Sequence, residues 1–227
     1  KTLDRYDVII LNNITMYEDE QLDRLLDTGK CIRYEHDYWV AEHKPELYKR
    51  MKHTIFLSPL HKMSAESKIG YKVESSSLVP SPIQDVFKPL GEKEPMSVLY
   101  VGNLCEMKGT PEMIKYIKNN PMYKFYVIGF GGMVEDVKNL KNVEYIGETK
   151  LEDTVKYYQK CEYLYHKPQW EEPFGRTVLE GYLCGCNLLV NSNVGAMSWD
   201  WDFSNYDLIK KNVQSQSKFW KVIKDEI

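Results

Sequence analysis

Short apolar runs alternate with longer amphipathic stretches along most of this chain. Residues 7–12, Asp-Val-Ile-Ile-Leu-Asn, read as a strand buried on both faces. Residues 18–28 read as a helix with Leu22, Leu25 and Leu26 on one face and Gly29 as its stop. A strand over 31–34 follows, ending in Glu35-His36-Asp37-Tyr38, then a helix over 45–52 and a strand over 54–57. A helix over 60–68 stops at Gly70, and a strand covers 73–79. Strand and helix in strict alternation predict a parallel sheet covered by helices. Pro80-Ser81-Pro82 and Phe87-Lys88-Pro89-Leu90-Gly91 break the rhythm and mark a linker. A second series then begins: strand 97–102, helix 111–118, strands 123–128 and 143–146, helix 151–160, strand 163–165, helix 176–183 and strand 188–191. The pattern predicts two α/β units joined near 87–95, with a cleft between them. In the tail, 216–227 carries Phe219, Trp220, Val222 and Ile223 at helical spacing, so Phe219, Trp220 and Ile223 are expected to pack on protein, partly on the first unit.

The stretch from Pro168 to Glu180 carries the densest chemistry. It runs Pro-Gln-Trp-Glu-Glu-Pro-Phe-Gly-Arg-Thr-Val-Leu-Glu, between a strand and a helix whose apolar face is Val178, Leu179, Tyr182, Leu183 and Cys186. Glu172 precedes the helix, and Glu180 lies two turns in, away from the apolar face. Helical side chains lean toward the N-terminus, so both carboxylates can look into one cleft. Gly175 lets a ligand approach the backbone, and free amides near Gly175, Arg176 and Thr177 favour a phosphate. Carboxylates favour hydroxyl groups. A ligand carrying both is a sugar nucleotide. Two glutamates near a helix start also serve as plain dipole complements on a solvated face, and spacing alone leaves that reading open.

Composition narrows the field. The 227 residues are 43% hydrophobic and 28% charged, with a net charge of −3, so no global field attracts nucleic acid. No apolar run approaches the roughly 20 residues that span a bilayer. No secretory leader is visible, and a start at Lys1 is that of a processed product or a fragment. Five cysteines, an odd number in a chain that is not cysteine-dense, fit a reducing compartment and a cytoplasmic setting. Cys184 and Cys186 lack a partnering pair for zinc. Asp200-Trp201-Asp202 has the look of a metal-binding D-x-D but falls among late loop residues, and no metal or other cofactor is expected. Gly129-Phe130-Gly131-Gly132 with Glu148 invites a dinucleotide reading, but the third glycine of that fingerprint falls at Val134. The glycines instead suggest close backbone approach.

Glu172 to Glu180, with Pro-Phe-Gly after the first Glu and Leu183-Cys184-Gly185-Cys186 beyond, resembles the E-x7-E signature of the family 4 (group 1) glycosyltransferases of the GT-B fold. The likeness extends over nearly the whole chain. It implies two Rossmann-like domains: a reduced N-terminal, acceptor-side domain at 1–90, a donor-binding domain at 91–210, and a C-terminal helix at 211–227 crossing back to the first. The first domain starts at what resembles the family's later half. Carried onto this sequence, the first Glu, Glu172, meets the donor sugar, and Glu180 meets the ribose. Lys108, in the loop after strand 97–102, resembles the diphosphate-binding lysine. Gly102, Asn103, Phe174, Gly175, Arg176 and Thr177 complete the donor side, and Glu172, His36 and Lys108 form the catalytic set. Asn103 stands where the family commonly has an arginine, which Arg176 could replace. His36 resembles a histidine that faces the donor across the cleft. The resemblance implies a retaining, metal-independent hexosyltransferase. Its substrate is a nucleotide-diphosphate sugar and its acceptor a hydroxyl of a glycan or lipid-linked glycan, with peripheral membrane contact compatible. A non-catalytic nucleotide-sugar-binding fragment, a GT-B sugar-nucleotide epimerase and an NAD-dependent oxidoreductase are the alternatives.

Overall fold

The computed structural model describes residues 3–227. It contains two all-parallel sheets. The first has the order β1 (Ile9–Leu11), β2 (Cys31–Tyr34), β3 (His53–Phe56), β4 (Ser76–Leu78). The second comprises β5 (Glu94–Val101), β6 (Lys124–Ile128), β7 (Val143–Gly147), β8 (Cys161–His166) and β9 (Asn187–Val190). Its order, β7-β6-β5-β8-β9, reverses direction between β5 and β8. Both sheets are parallel, as the alternation predicted, and Rossmann-like, as the family resemblance implied. Such reversals open a crevice at the carboxyl ends of the two flanking strands.

Helices α1 (Asp19–Leu26), α2 (Trp39–His43) and α3 (Pro59–Ile69) accompany the first sheet. Helices α4 (Thr110–Asn119), α5 (Val134–Lys138), α6 (Leu151–Lys160) and α7 (Arg176–Leu183) accompany the second. Two more close the chain, α8 (Tyr206–Gln214) and α9 (Ser217–Asp225). β3 is buried along its whole length, as expected of a strand covered on both faces. Leu99, Leu164, Val178, Leu179 and Leu183 form the centre of the core between the second sheet and α6 and α7. Lys93 stitches this core from its rim: its ammonium donates to the carbonyls of Tyr158 and Cys184, each at 2.8 Å, near the ends of α6 and α7. Cations are favoured at helix C-termini because the last carbonyls lack intrahelical partners.

The two halves meet through specific bonds. Ser58 caps α3 by accepting from the His61 amide at 3.0 Å, and its hydroxyl donates to the Pro173 carbonyl at 2.6 Å. The Leu60 amide donates to Ser198 Oγ, and Trp199 Nε1 donates to the Leu57 carbonyl. Helix α9 returns to the first sheet, where Ile223 sits with Ile32, Ile55 and Val79.

Several expectations need correction. The 45–52 segment is a 3-10 turn over Pro45–Lys49, preceded by the unforeseen α2. α8 forms where no helix was expected, held by Ile209 and Val213 in the core. It runs through position 211. Trp220 does not anchor the tail: it is 50% exposed and rests edge-on against Phe219, whereas Ile223 is 5% exposed. Asp202 is bonded to the amide and hydroxyl of Ser204, a turn role. No helix among the described residues is long and apolar enough to cross a membrane.

Candidate functional site

A cavity of about 350 Å³ opens where the second sheet reverses, between the carboxyl ends of both sheets. Its second-sheet wall is Gly102 and Asn103 after β5, Lys108, His166 at the end of β8, and the turn from Trp170 to Thr177. His36, Leu57 and Ser81 close it from the first sheet. A larger open depression of about 470 Å³ runs down the flank of α6 over Asp153, Lys156 and Tyr157, away from these strand ends.

The glycines shape this wall. Gly175 holds φ at 80°, and a Cβ there would stand 2.9 Å from Glu172 Oε2 and 2.7 Å from Val194. The turn therefore folds directly over the Glu172 carboxylate and enters α7 with no side chain capping its first amides. Gly129 has φ 143°, and a Cβ would meet the Gly102 carbonyl at 1.8 Å. The expected close approach at these glycines is thus between the loop after β6 and the loop after β5.

Glu172 is the centre of the site. It is 4% exposed. Lys108 Nζ donates to its Oε1, and His166 Nε2 to its Oε2 at 2.7 Å. Burial would raise this carboxyl, but the bonds and charges of His166 and Lys108 outweigh it and hold the pKa at about 2. An ionised acceptor fixes the tautomer, with a proton on His166 Nε2. His166 Nδ1 is buried with no hydrogen-bond partner among the described residues. Lys108 also lies 5.4 Å from the centre of the Trp170 ring, and Trp170 packs edge-on to Tyr38 of the first half.

Glu180, in α7, does not line the cavity. Tyr158 donates to its Oε2 at 3.0 Å, and Arg176 lies 3.5 Å from its Oε1. Burial raises its pKa, against the charge of Arg176 and the Tyr158 bond. Arg176, half exposed and one helical turn before Glu180 on α7, lines the cavity, and Glu180 does not. Thr177 and Phe174 both line the cavity, Phe174 being 2% exposed and packed in the core as well.

Across the cavity, His36 packs edge-on to Tyr34 at 4.4 Å. Partial burial, then the Arg33 guanidinium, lowers its pKa. Arg33 is buried, forks onto Glu35 at 2.7 and 3.1 Å and donates to the Leu11 carbonyl. His61 steadies the following turn: its Nδ1 accepts from the Leu57 amide and its Nε2 donates to the Asp37 carbonyl. Burial brings its pKa down to about 4.

The geometry thus brings Lys108, Glu172, Gly102, Asn103, Phe174, Gly175, Arg176, Thr177 and His36 to one cavity, while Glu180 is not among the residues that line it. Sequence reasoning missed His166, Trp170 and Ser81. The available signal for His166 was its place at the carboxyl end of a strand, the position where open α/β sheets present ligand-facing residues.

No curated protein matches the chain by sequence. Among solved structures, the sucrose-phosphate synthase of Thermosynechococcus elongatus superposes with a TM-score of 0.68 at 16% identity, over 97% of this chain and 67% of that one. TarM of S. aureus gives 0.65 at 13% identity, over 96% of this chain and 48% of its own. HepE of Anabaena, solved with UDP and glucose, gives 0.62 at 17%, over 97% and 72%. At such identities the likeness establishes the shared GT-B fold, and the chain spans about half to three quarters of these proteins' lengths. Residues 83–214, more than half of the chain, match the family described as glycosyl transferases group 1, and the chain belongs to that family.

Proposed function

We propose that this protein binds a nucleotide-diphosphate sugar at the carboxyl edge of its second sheet. It transfers the hexosyl group, with retention and without a metal, to a hydroxyl of a glycan or lipid-linked glycan. The observation that carries the reading is the Lys108–Glu172 contact at the sheet's switch point. A cation suited to a diphosphate and a carboxylate suited to sugar hydroxyls lie one hydrogen bond apart. On this reading residues 1–90 form the acceptor side and the donor domain starts at 91. The return helix is α9, within the 211–227 segment.

Lys108 turns from Glu172 to the diphosphate, joined by Arg176 and the first amides of α7. Asn103 contributes hydrogen bonds beside Gly102. Glu180, released by Arg176, accepts from the ribose. Glu172 accepts from the donor sugar, and His36, its basicity lowered by its surroundings, meets that sugar from the other side. The bond between the anomeric carbon and the β-phosphate oxygen breaks while the acceptor oxygen bonds to the same face. The acceptor proton passes to the departing phosphate. Charge develops on that phosphate, and fixed cations in a water-poor cleft stabilise it. No side chain needs to be a strong base. The buried thiols fit a reducing, cytoplasmic setting.

Calorimetry with UDP, ADP and GDP, followed by transfer assays with radiolabelled UDP-glucose, UDP-N-acetylglucosamine and GDP-mannose in EDTA, tests this. Binding of one diphosphate and a product of unchanged anomeric configuration are expected. No binding at millimolar concentration would overturn the donor-site assignment.

A further inference from the structure

We infer that His166 governs whether Lys108 is available to a donor's diphosphate, by keeping Glu172 satisfied once the lysine leaves. The inference rests on the reading of Lys108 as the diphosphate-binding cation. Glu172 divides its carboxylate between two partners, Oε1 to Lys108 and Oε2 to His166. The partners differ in freedom. The His166 side chain is 5% exposed and fixed at the end of β8, whereas that of Lys108 is 29% exposed and reaches in from a loop. A phosphate in the cavity and Glu172 therefore compete for one ammonium.

What happens to Glu172 decides the competition. Its side chain is 5% exposed, so little water reaches it to replace a lost partner, and a buried carboxylate short of partners is strongly disfavoured. A side chain at Gly175 would crowd the same oxygen that His166 serves, and no other side chain among the described residues donates to the carboxylate. With His166 in place, Lys108 can depart and leave a bonded carboxylate. Without it, Glu172 depends on Lys108 alone and retains it. His166 is thus a positioning residue: it acts on the diphosphate through Glu172 and Lys108.

The test compares a nucleoside diphosphate with its nucleoside by calorimetry, using whichever of UDP, ADP and GDP binds best. The ratio of the two affinities reports the diphosphate contribution within one protein, so partial unfolding cancels. Lys108→Ala should lower that ratio by about ten- to hundredfold, the worth of a charge-assisted hydrogen bond. His166→Leu should lower it comparably with the nucleoside unaffected, and adding Lys108→Ala should lower it little further. His166→Gln, whose amide nitrogen reaches the place of Nε2, should keep it. Glu172→Gln in the His166→Leu background should restore it, because a neutral amide no longer holds the lysine. His166→Asn, too short to reach Glu172, serves if the leucine variant does not fold. A ratio unchanged by His166→Leu or Asn, a parallel fall in both affinities, or no recovery with Glu172→Gln would overturn the inference while leaving the role of Lys108 intact. A wild-type protein that does not prefer the diphosphate would overturn the role of Lys108 itself, and this inference with it.

Discussion

Glu172→Gln should change how stability depends on pH, by an amount that follows from the site. The carboxyl falls from an ordinary 4.5 to about 2 because His166 and Lys108 favour its ionised form. A depressed pKa means that the folded state holds the proton less tightly than the unfolded chain. The stabilisation is present above about 4.5 and is lost as pH falls toward 2. Each tenfold change in proton affinity is worth about 1.4 kcal/mol, so the whole window corresponds to about 3 kcal/mol. The group is nearly buried, so solvent screening removes little of this. Between pH 6 and pH 3 the wild type should lose about 2 kcal/mol that the glutamine variant does not. Other carboxyls with lowered pKa, Glu66 and Glu94 among them, are common to both proteins and cancel in the difference. Urea unfolding at closely spaced pH values, followed by tryptophan fluorescence, measures it. Stability curves of the two proteins that stay parallel from pH 6 to pH 3 would refute the claim that this carboxylate is held ionised by its neighbours.

Ile223→Ala should cost about 2–5 kcal/mol, because the side chain is buried against the first sheet, whereas half-exposed Trp220→Ala should cost well under half of that; thermal melts that rank them the other way would refute the docking of α9. Glu180→Ala should weaken nucleoside binding by about ten- to hundredfold, and unchanged calorimetric affinity would remove it from the ribose role. Gly129→Ala should reduce nucleoside diphosphate affinity and lower the melting temperature together, since the added carbon meets the Gly102 carbonyl; wild-type values for both would show that the two loops can separate at no cost.

How much of this was written in the pattern of residues depends on how local each feature is. Helices α6 and α7 begin and end where the apolar spacing places them, because each has a continuous apolar face and a clear start. The same holds for the alternation that produces both sheets. α8 escaped notice because Ile209 and Val213 alone mark its buried face. Two apolar residues four apart are too few to distinguish a helix from a loop. In α9, residues 219, 220, 222 and 223 are all apolar, so spacing permits more than one inward face; the seat between Ile32, Ile55 and Val79 selects Ile223.

The site divides in the same way. Glu172 and Lys108 were found because each lies in a recognisable loop, and the fold brings them into contact across 64 positions. His166 has no periodic or motif signal. Its role arises only because the turn from Pro168 to Phe174 doubles back and lays Glu172 against the strand end that the chain has just left. A turn that closes on itself places donor and acceptor by its backbone path, and the path depends on tertiary bonds outside the segment: Glu172 N to the Asn193 carbonyl at 2.7 Å, and Gly195 N to the Glu172 carbonyl at 3.0 Å. These bonds bind the turn to the segment after β9. Ser58, which caps α3 in the other half, then donates to the Pro173 carbonyl. The position of the central carboxylate is therefore set by both halves of the molecule.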